Sequence, residues 1–189
     1  MNKRCHKKIY LIFGVLLFNG FLYSQTQPII DKESIIIWSE FQPLTWKDFR
    51  SNNLTLKEDL AISYVGMMFI PIKESKTNYK YEVLSIFNRD KSKSNVMNRK
   101  VLNHEQFHFH IVEIHARKVR RQIELNKNDK KLKLKDYEAV FDRYEKELIV
   151  FQKKYDKETK HGTRNLYQKK WEEKILLELK LLKLYKINN

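Results

Sequence analysis

Cysteine, proline and glycine are scarce in this chain: one, three and four respectively among 189 residues. The single cysteine, Cys5, precedes an apolar run from Ile9 to Phe18, the wrong side for a lipid-modified residue. Lys3, Arg4, Lys7 and Lys8 stand before that run, and Tyr23, Ser24 and Gln25 follow it. Basic start, apolar centre and small or polar end are the order of a secretory signal peptide, here predicted for 1–24 with cleavage after Ser24. Also missing is an unbroken apolar stretch long enough to cross a bilayer, which takes about 20 residues. Asn19 interrupts 9-IYLIFGVLLFNGFLY-23, so an uncleaved anchor is the alternative, and no stable membrane span is expected once the leader is gone. The expected product is a secreted or periplasmic domain of residues 25–189. That domain has no cysteine, which excludes a disulfide and a thiolate nucleophile and limits any metal site to His, Asp and Glu.

Negative charge is the other shortage. Removing 1–24 takes away four of 38 basic residues and none of the 23 acidic ones, leaving an excess of about eleven positive charges. Much of it sits in 117-RKVRRQIELNKNDKKLKLK-135. Such a run suits an anionic envelope surface, a polyanion or acidic substrates, or is simply a solvated helix end and connector. Export argues against nucleic acid as a partner.

What is present divides in two. Before residue 90 the chain reads as strands and turns: Ile35–Trp38, Ala61–Ile70 and Tyr79–Phe87 are rich in β-branched and aromatic residues. Within 44-LTWKDF-49, Thr45 and Asp48 have the spacing of a capping-box variant on a helical turn. The polar stretches 51–58, 71–78 and 88–95 read as loops. From about residue 97 the pattern is helical, with candidates over 97–125, 134–157 and 164–186. Tyr137, Phe141, Tyr144, Leu148, Phe151 and Tyr155 recur at intervals of four and three and predict a core-facing stripe. Gly162, one of two glycines after residue 24, suits a left-handed turn beyond a helix end. No repeat and no second domain are visible. The expected fold class is α+β, a small mainly antiparallel sheet followed by three helices.

Four of the six histidines fall in 103-NHEQFHFHIVEIHAR-117. His104, Glu105 and His108 fit H-E-x-x-H. A helix turns about 100° per residue, so residues four apart lie about 40° apart on one face. Two imidazoles so placed can reach one Zn²⁺, and Glu105 is the neighbour suited to act as general base. His110, about 200° from His108, faces elsewhere, and His115 lies about 10 Å further along the axis. The His-x-x-Gly-x-x-His extension is absent, since Ile111 holds the glycine position. Glu113 points roughly opposite His104 and is expected to pair with Arg117. The third metal ligand must come from elsewhere: His161 in 155-YDKETKHG-162, Asp156 in the same stretch, or another carboxylate. If His161 ligates, Asp156 can orient a ligand imidazole.

The segments 44-LTWKDF-49, 101-VLNHEQFHFHIVEIHAR-117 and 155-YDKETKHG-162, with Gln168 and Trp171, resemble the bacterial domain-of-unknown-function family described as predicted secreted zinc-dependent proteases. The resemblance spans most of the chain after residue 40. It implies a zincin-like fold with the active-site helix at about 97–125, supports His104, Glu105 and His108, and marks His161 as a motif residue. Two departures are His110, where an acidic residue is expected, and the missing serine-tryptophan ahead of the active-site helix, since Asn95 follows Ser94. The function expected from residues and resemblance together is an exported zinc metallopeptidase acting on a protein or peptide, with cell-wall peptide as one substrate class. Tyr155 and Tyr167 are near enough to His161 in sequence to be candidate oxyanion stabilisers, with core packing the expected role of each. By analogy with zincin folds, Tyr79–Phe87 is the strand expected to pair with substrate. The rival is a non-enzymatic basic envelope protein with a structural metal or none.

Overall fold

A computed structural model describes residues 30–51, 61–73, 79–129 and 131–187. The leader expected at 1–24 lies outside the described residues, as do most of the polar stretch after Ser51 and the tip of the turn at 74–78. Among the described residues no helix is long and apolar enough to cross a membrane.

The fold is α+β, as the two textures of the sequence predict. Strands β1 (Ile35–Ile37), β2 (Ala61–Ile62), β3 (Val65–Lys73), β4 (Tyr79–Asn88) and β5 (Lys93–Ser94) precede helices α1 (Arg99–Asn126), α2 (Leu134–Thr159) and α3 (Asn165–Leu181). Strands β3 and β4 form an antiparallel pair from Val65↔Phe87 to Lys73↔Tyr79, and β1 adds to β4 at Ile86–Asn88, giving the order β1-β4-β3. A two-residue ribbon, β2 with β5, stands apart, so the stretch expected as loop at 88–95 contributes a short strand. Strand β4 lies between β3 and β1, but β1 covers only Ile86–Asn88 of it.

Burial of β4 also differs from a strand buried on one face. Val83, Ser85 and Phe87 turn toward α1, where Val83 packs with Ala116 and Val119, and Phe87 with Phe109. The opposite face starts polar, with Lys80 and Glu82 paired at the surface, and then becomes apolar. Leu84 and Ile86 are covered there by Ile70 and by Ile30 and Ile187 from the two ends of the described chain.

Helix α1 runs through the centre and is buried on nearly every face from Phe107 to Val119, its polar His108, Glu113, His115 and Arg117 included. Asn98 caps it, its Oδ1 accepting from the Lys100 amide at 2.8 Å. The stripe on α2 packs as its spacing predicts, with Leu148 and Tyr155 in the main core beside Trp171, Ile175 and Leu179 of α3. Full burial of each large apolar side chain contributes about 1.5–3 kcal/mol. The buried Glu113 is neutralised in place: it accepts from Arg117 at 2.8 Å, from Arg120 at 2.9 Å and from Ser85 at 2.7 Å. Arg117 in turn donates to the Leu179 carbonyl, tying α1 to the end of α3. The helical turn Trp46–Asp48 is present, with the Asp48 carboxylate accepting from both the amide and hydroxyl of Thr45.

Candidate metal centre

Helical geometry places His104 and His108 one turn apart on the face of α1 that meets α2 and α3. Both are buried, and their Nε2 atoms approach to 3.2 Å. Asp156, near the end of α2, completes the group: its Oδ1 lies 3.2 Å from Nε2 of His104 and 2.8 Å from Nε2 of His108. The three donor atoms form a compact triangle of the kind that can hold a metal ion. A four-coordinate Zn²⁺ with bonds of about 2.0–2.1 Å spaces its ligands by about 3.3 Å, close to all three edges.

The opposite ring nitrogens explain why the lone pairs converge. His104 Nδ1 lies 3.1 Å from Oε1 of Gln168. That oxygen is identified by the other end of the amide, which donates to the Glu172 carboxylate at 3.0 Å and to the Tyr155 hydroxyl at 2.7 Å. His104 therefore donates from Nδ1 and, when neutral, bares Nε2. His108 Nδ1 is likewise held by Oε1 of Gln152, one turn before Asp156. Two imidazole lone pairs and a carboxylate oxygen aimed at one point require a cation or a proton between them. Without metal a proton serves: burial alone would lower the His108 imidazole, but the Asp156 carboxylate, aided by Glu105 and Gln152, raises it to about 9. Burial would raise Asp156, yet the His108 charge and hydrogen bonds from the histidines hold it far below the usual carboxylate range. A metal ion entering the triangle displaces that proton.

His161 stands next to the triangle but not in it. Its Nδ1 is 3.6 Å from Asp156 Oδ1, its side chain is 40% exposed, and its ring centroid is 6.3 Å from that of His104. The backbone there is unusual: Lys160, His161 and Gly162 take positive φ values of 48°, 52° and 78° in succession. Two non-glycine residues in the left-handed region carry strain, which packing must hold in place. Gly162 is required for a second reason, since a Cβ there would come within 3.0 Å of His104 Cβ. The left-handed turn expected at Gly162 thus starts two residues earlier and forms the floor beneath His104.

Glu105, buried on α1, accepts from Ser63 between β2 and β3, from the amide at 2.9 Å and the hydroxyl at 2.5 Å. Both bonds land on Oε2, leaving Oε1 without a donor among the described residues. No family model, curated protein or solved structure matches this chain. The chemistry of the site therefore rests on its own residues.

The remaining histidines are accounted for as helix geometry demands. His110 accepts at Nδ1 from Trp38 at 2.9 Å, and His115 donates to the Ile111 carbonyl at 2.8 Å. Burial lowers both imidazoles to about 4, so both stay neutral. Tyr155 is unavailable as an oxyanion donor: it stacks on His104 with ring centroids 4.6 Å apart and donates its hydroxyl to the His104 carbonyl at 3.3 Å. Tyr167 is on the surface, where Arg164 and Lys170 lie over its ring.

Gln152, Glu172 and Ser63 are the residues that motif reasoning misses. Gln152 had a signal. With Asp156 it breaks a face otherwise made of Leu148, Phe151 and Tyr155, and a buried polar residue in an apolar stripe needs a partner. Gln106, inside the motif, accepts from the Leu44 amide at 2.7 Å and pins the segment before the Trp46 turn.

Proposed function

We propose that the chain is an exported zinc metallohydrolase acting on peptide bonds, with His104, His108 and Asp156 holding the metal and Glu105 as general base. The observation that carries this reading is the convergence of two Nδ1-anchored imidazoles and a carboxylate, with a second carboxylate beside His104 on the same helix turn. Two imidazoles and one carboxylate, with no sulfur, suit zinc, and also suit iron. Glu105 favours hydrolysis over redox chemistry. When bound, zinc supplies Lewis acidity and lowers the pKa of water.

The protein's own residues supply the rest. Gln152 and Gln168 hold the imidazoles in the ligating tautomer, so no reorientation is needed on binding. Ser63 fixes one oxygen of Glu105, which leaves the other to take a proton from water as it attacks an amide carbonyl. Glu105 then returns that proton to the leaving amine. His161, beside Asp156 and open to solvent, is in this reading a neighbour of a ligand.

The test is metal content and hydrolysis of an unstructured protein substrate, measured on the chain and on Glu105→Gln. One zinc per chain in both, with hydrolysis about 10²–10⁴-fold slower in the variant, is expected. Absence of zinc from the folded chain after supplementation overturns the reading. Undiminished hydrolysis by Glu105→Gln removes Glu105 as base, and no hydrolysis by either protein leaves a structural metal.

A further inference from the structure

Lysines extend both lines of candidate ligands. On α1, Lys100, His104 and His108 are four residues apart, so they follow one another down the same side of the helix. On α2, Gln152, Asp156 and Lys160 have the same spacing, and the Lys160 amide donates to the Asp156 carbonyl as the helix ends. The two helices are antiparallel. Tyr137 at the start of α2 donates to the Asn126 carbonyl at the end of α1, while Asp156 meets His104 at the other end. Lys100 and Lys160 therefore stand at the same end of the pair, each one turn, about 6 Å, beyond a candidate ligand. The turn that begins at Lys160 rests against α1 there, since Gly162 lies against His104. It also carries His161, whose half-exposed ring beside Asp156 marks the side on which the buried triangle meets solvent.

Charge at this end is of one sign. Residues 91–104 and 159–171 hold four Lys or Arg each and no Asp or Glu. The acids that border these segments are engaged elsewhere: Glu105 accepts from Ser63, Glu158 from Trp171, and Glu172 from Asn103 and Gln168. Lys100 and Lys160 are exposed, and among the described residues neither is in an ion pair. Helix stability does not account for Lys100, because a cation in the first turn opposes the helix dipole.

We infer that the centre prefers peptides carrying a carboxylate beside the scissile bond, bound by the ammonium groups of Lys100 and Lys160. This rests on the peptidase reading and gives it a substrate class. The carboxylate belongs either to an acidic side chain or to the C-terminus of the substrate, which offer the same charge and shape. An exposed ammonium–carboxylate pair contributes up to about fivefold in affinity, and salt screens it. Because the contact is made equally before and during reaction, it appears in KM and not in kcat.

The test uses the full chain supplied with zinc and three quenched fluorescent peptides of one length. One has central glutamates and an amidated end, one central glutamines and a free C-terminal carboxylate, and one central glutamines and an amidated end. KM for a carboxylate-bearing peptide is expected about fivefold or more below that of the neutral one. Lys100→Gln and Lys160→Gln should each raise it about fivefold with kcat unchanged, and high salt should erase the preference. Lys135→Gln, at the exposed far end of α2, removes the same charge and should change nothing. Preference for the glutamate peptide assigns the carboxylate to a side chain, and preference for the free end assigns it to the C-terminus. Equal KM for all three peptides overturns the inference and leaves the peptidase reading standing, as does a preference that survives both lysine changes. If no peptide is cleaved, fluorescence anisotropy of singly labelled versions decides. Tighter binding of a carboxylate peptide, lost in both lysine variants, supports the anion preference and ends the peptidase reading; equal or absent binding overturns both.

Discussion

Replacing Asp156 with Asn is the sharpest perturbation of the proposed centre, because it keeps the shape of the side chain and removes only its charge. In the metal-free chain the carboxylate is what raises the His108 imidazole to about 9. Without it only Glu105 and the Gln152 hydrogen bond still oppose burial, and the His108 imidazole loses its proton more easily. In the metal-bound chain the effect is greater, since a neutral amide oxygen replaces an anionic ligand 3.2 Å and 2.8 Å from the two imidazole nitrogens. Changing groups that merely support a ligand costs about 10–100-fold in affinity, so losing the ligand should exceed about 100-fold, or roughly 2.7 kcal/mol. His161→Ala removes a half-exposed ring 3.6 Å from Asp156 and should cost no more than about tenfold. Zinc dissociation constants from competition with a chromophoric chelator measure both variants on one scale. If His161→Ala proves the more damaging, His161 is the third ligand and the assignment of Asp156 is wrong.

Gln168→Leu removes the acceptor that fixes His104 and should weaken zinc by about 10–100-fold while the chain stays folded; unchanged affinity by the same competition would show that the tautomer needs no such hold. Gly162→Ala meets both the left-handed φ of 78° and the 3.0 Å approach to His104, and should lower stability by more than about 1 kcal/mol and weaken zinc as well. A denaturant midpoint and zinc affinity equal to the parent's would contradict that. His110 and His115 stay neutral in the folded chain down to about pH 4 but take up protons near 6.5 once unfolded. Between those values the unfolded state binds more protons, so stability declines as pH falls, by up to about 1.4 kcal/mol per pH unit for each group. Imidazole resonances are the check, and a titration of either ring near 6.5 in the folded chain refutes it.

Local periodicity made most of this legible in the sequence. The pair His104 and His108, the irrelevance of His110 and His115 to the same ion, and the Glu113–Arg117 pair all follow from the angle between residues on one helix. The apolar stripe of α2 likewise announced which side packs inward. Long-range geometry was not legible in the same way. Asp156 and His161 are five residues apart at the end of one helix, and either can be drawn toward α1 until the turn is known. Helix α2 carries Asp156 to the imidazoles, and His161 follows in a turn of three successive left-handed residues, Lys160 to Gly162, beside the triangle. Gln168 carried no chemical signal of its own and entered through a family resemblance alone. Its grip on His104 depends on how α3 crosses α1, which no spacing encodes. The middle position of β4 was hidden for the same reason: strand order belongs to topology, and the alternation within a strand does not reveal its neighbours.

The distribution of the donors along the chain bears on the order of events in folding. Helix α1 can offer two imidazoles by itself, and an isolated pair of this kind holds a cation only weakly. The carboxylate arrives when α2 docks and brings Gln152 with it; the second clamp, Gln168, arrives with α3. The groups of the proposed centre thus come from three helices, and all of them meet only in the completed assembly. Because a ligand stabilises the state that binds it most tightly, an ion bound at this centre would act chiefly on the final arrangement. If the proposed centre holds a metal, tight capture requires all three helices in place, and metal content would then report the completed assembly.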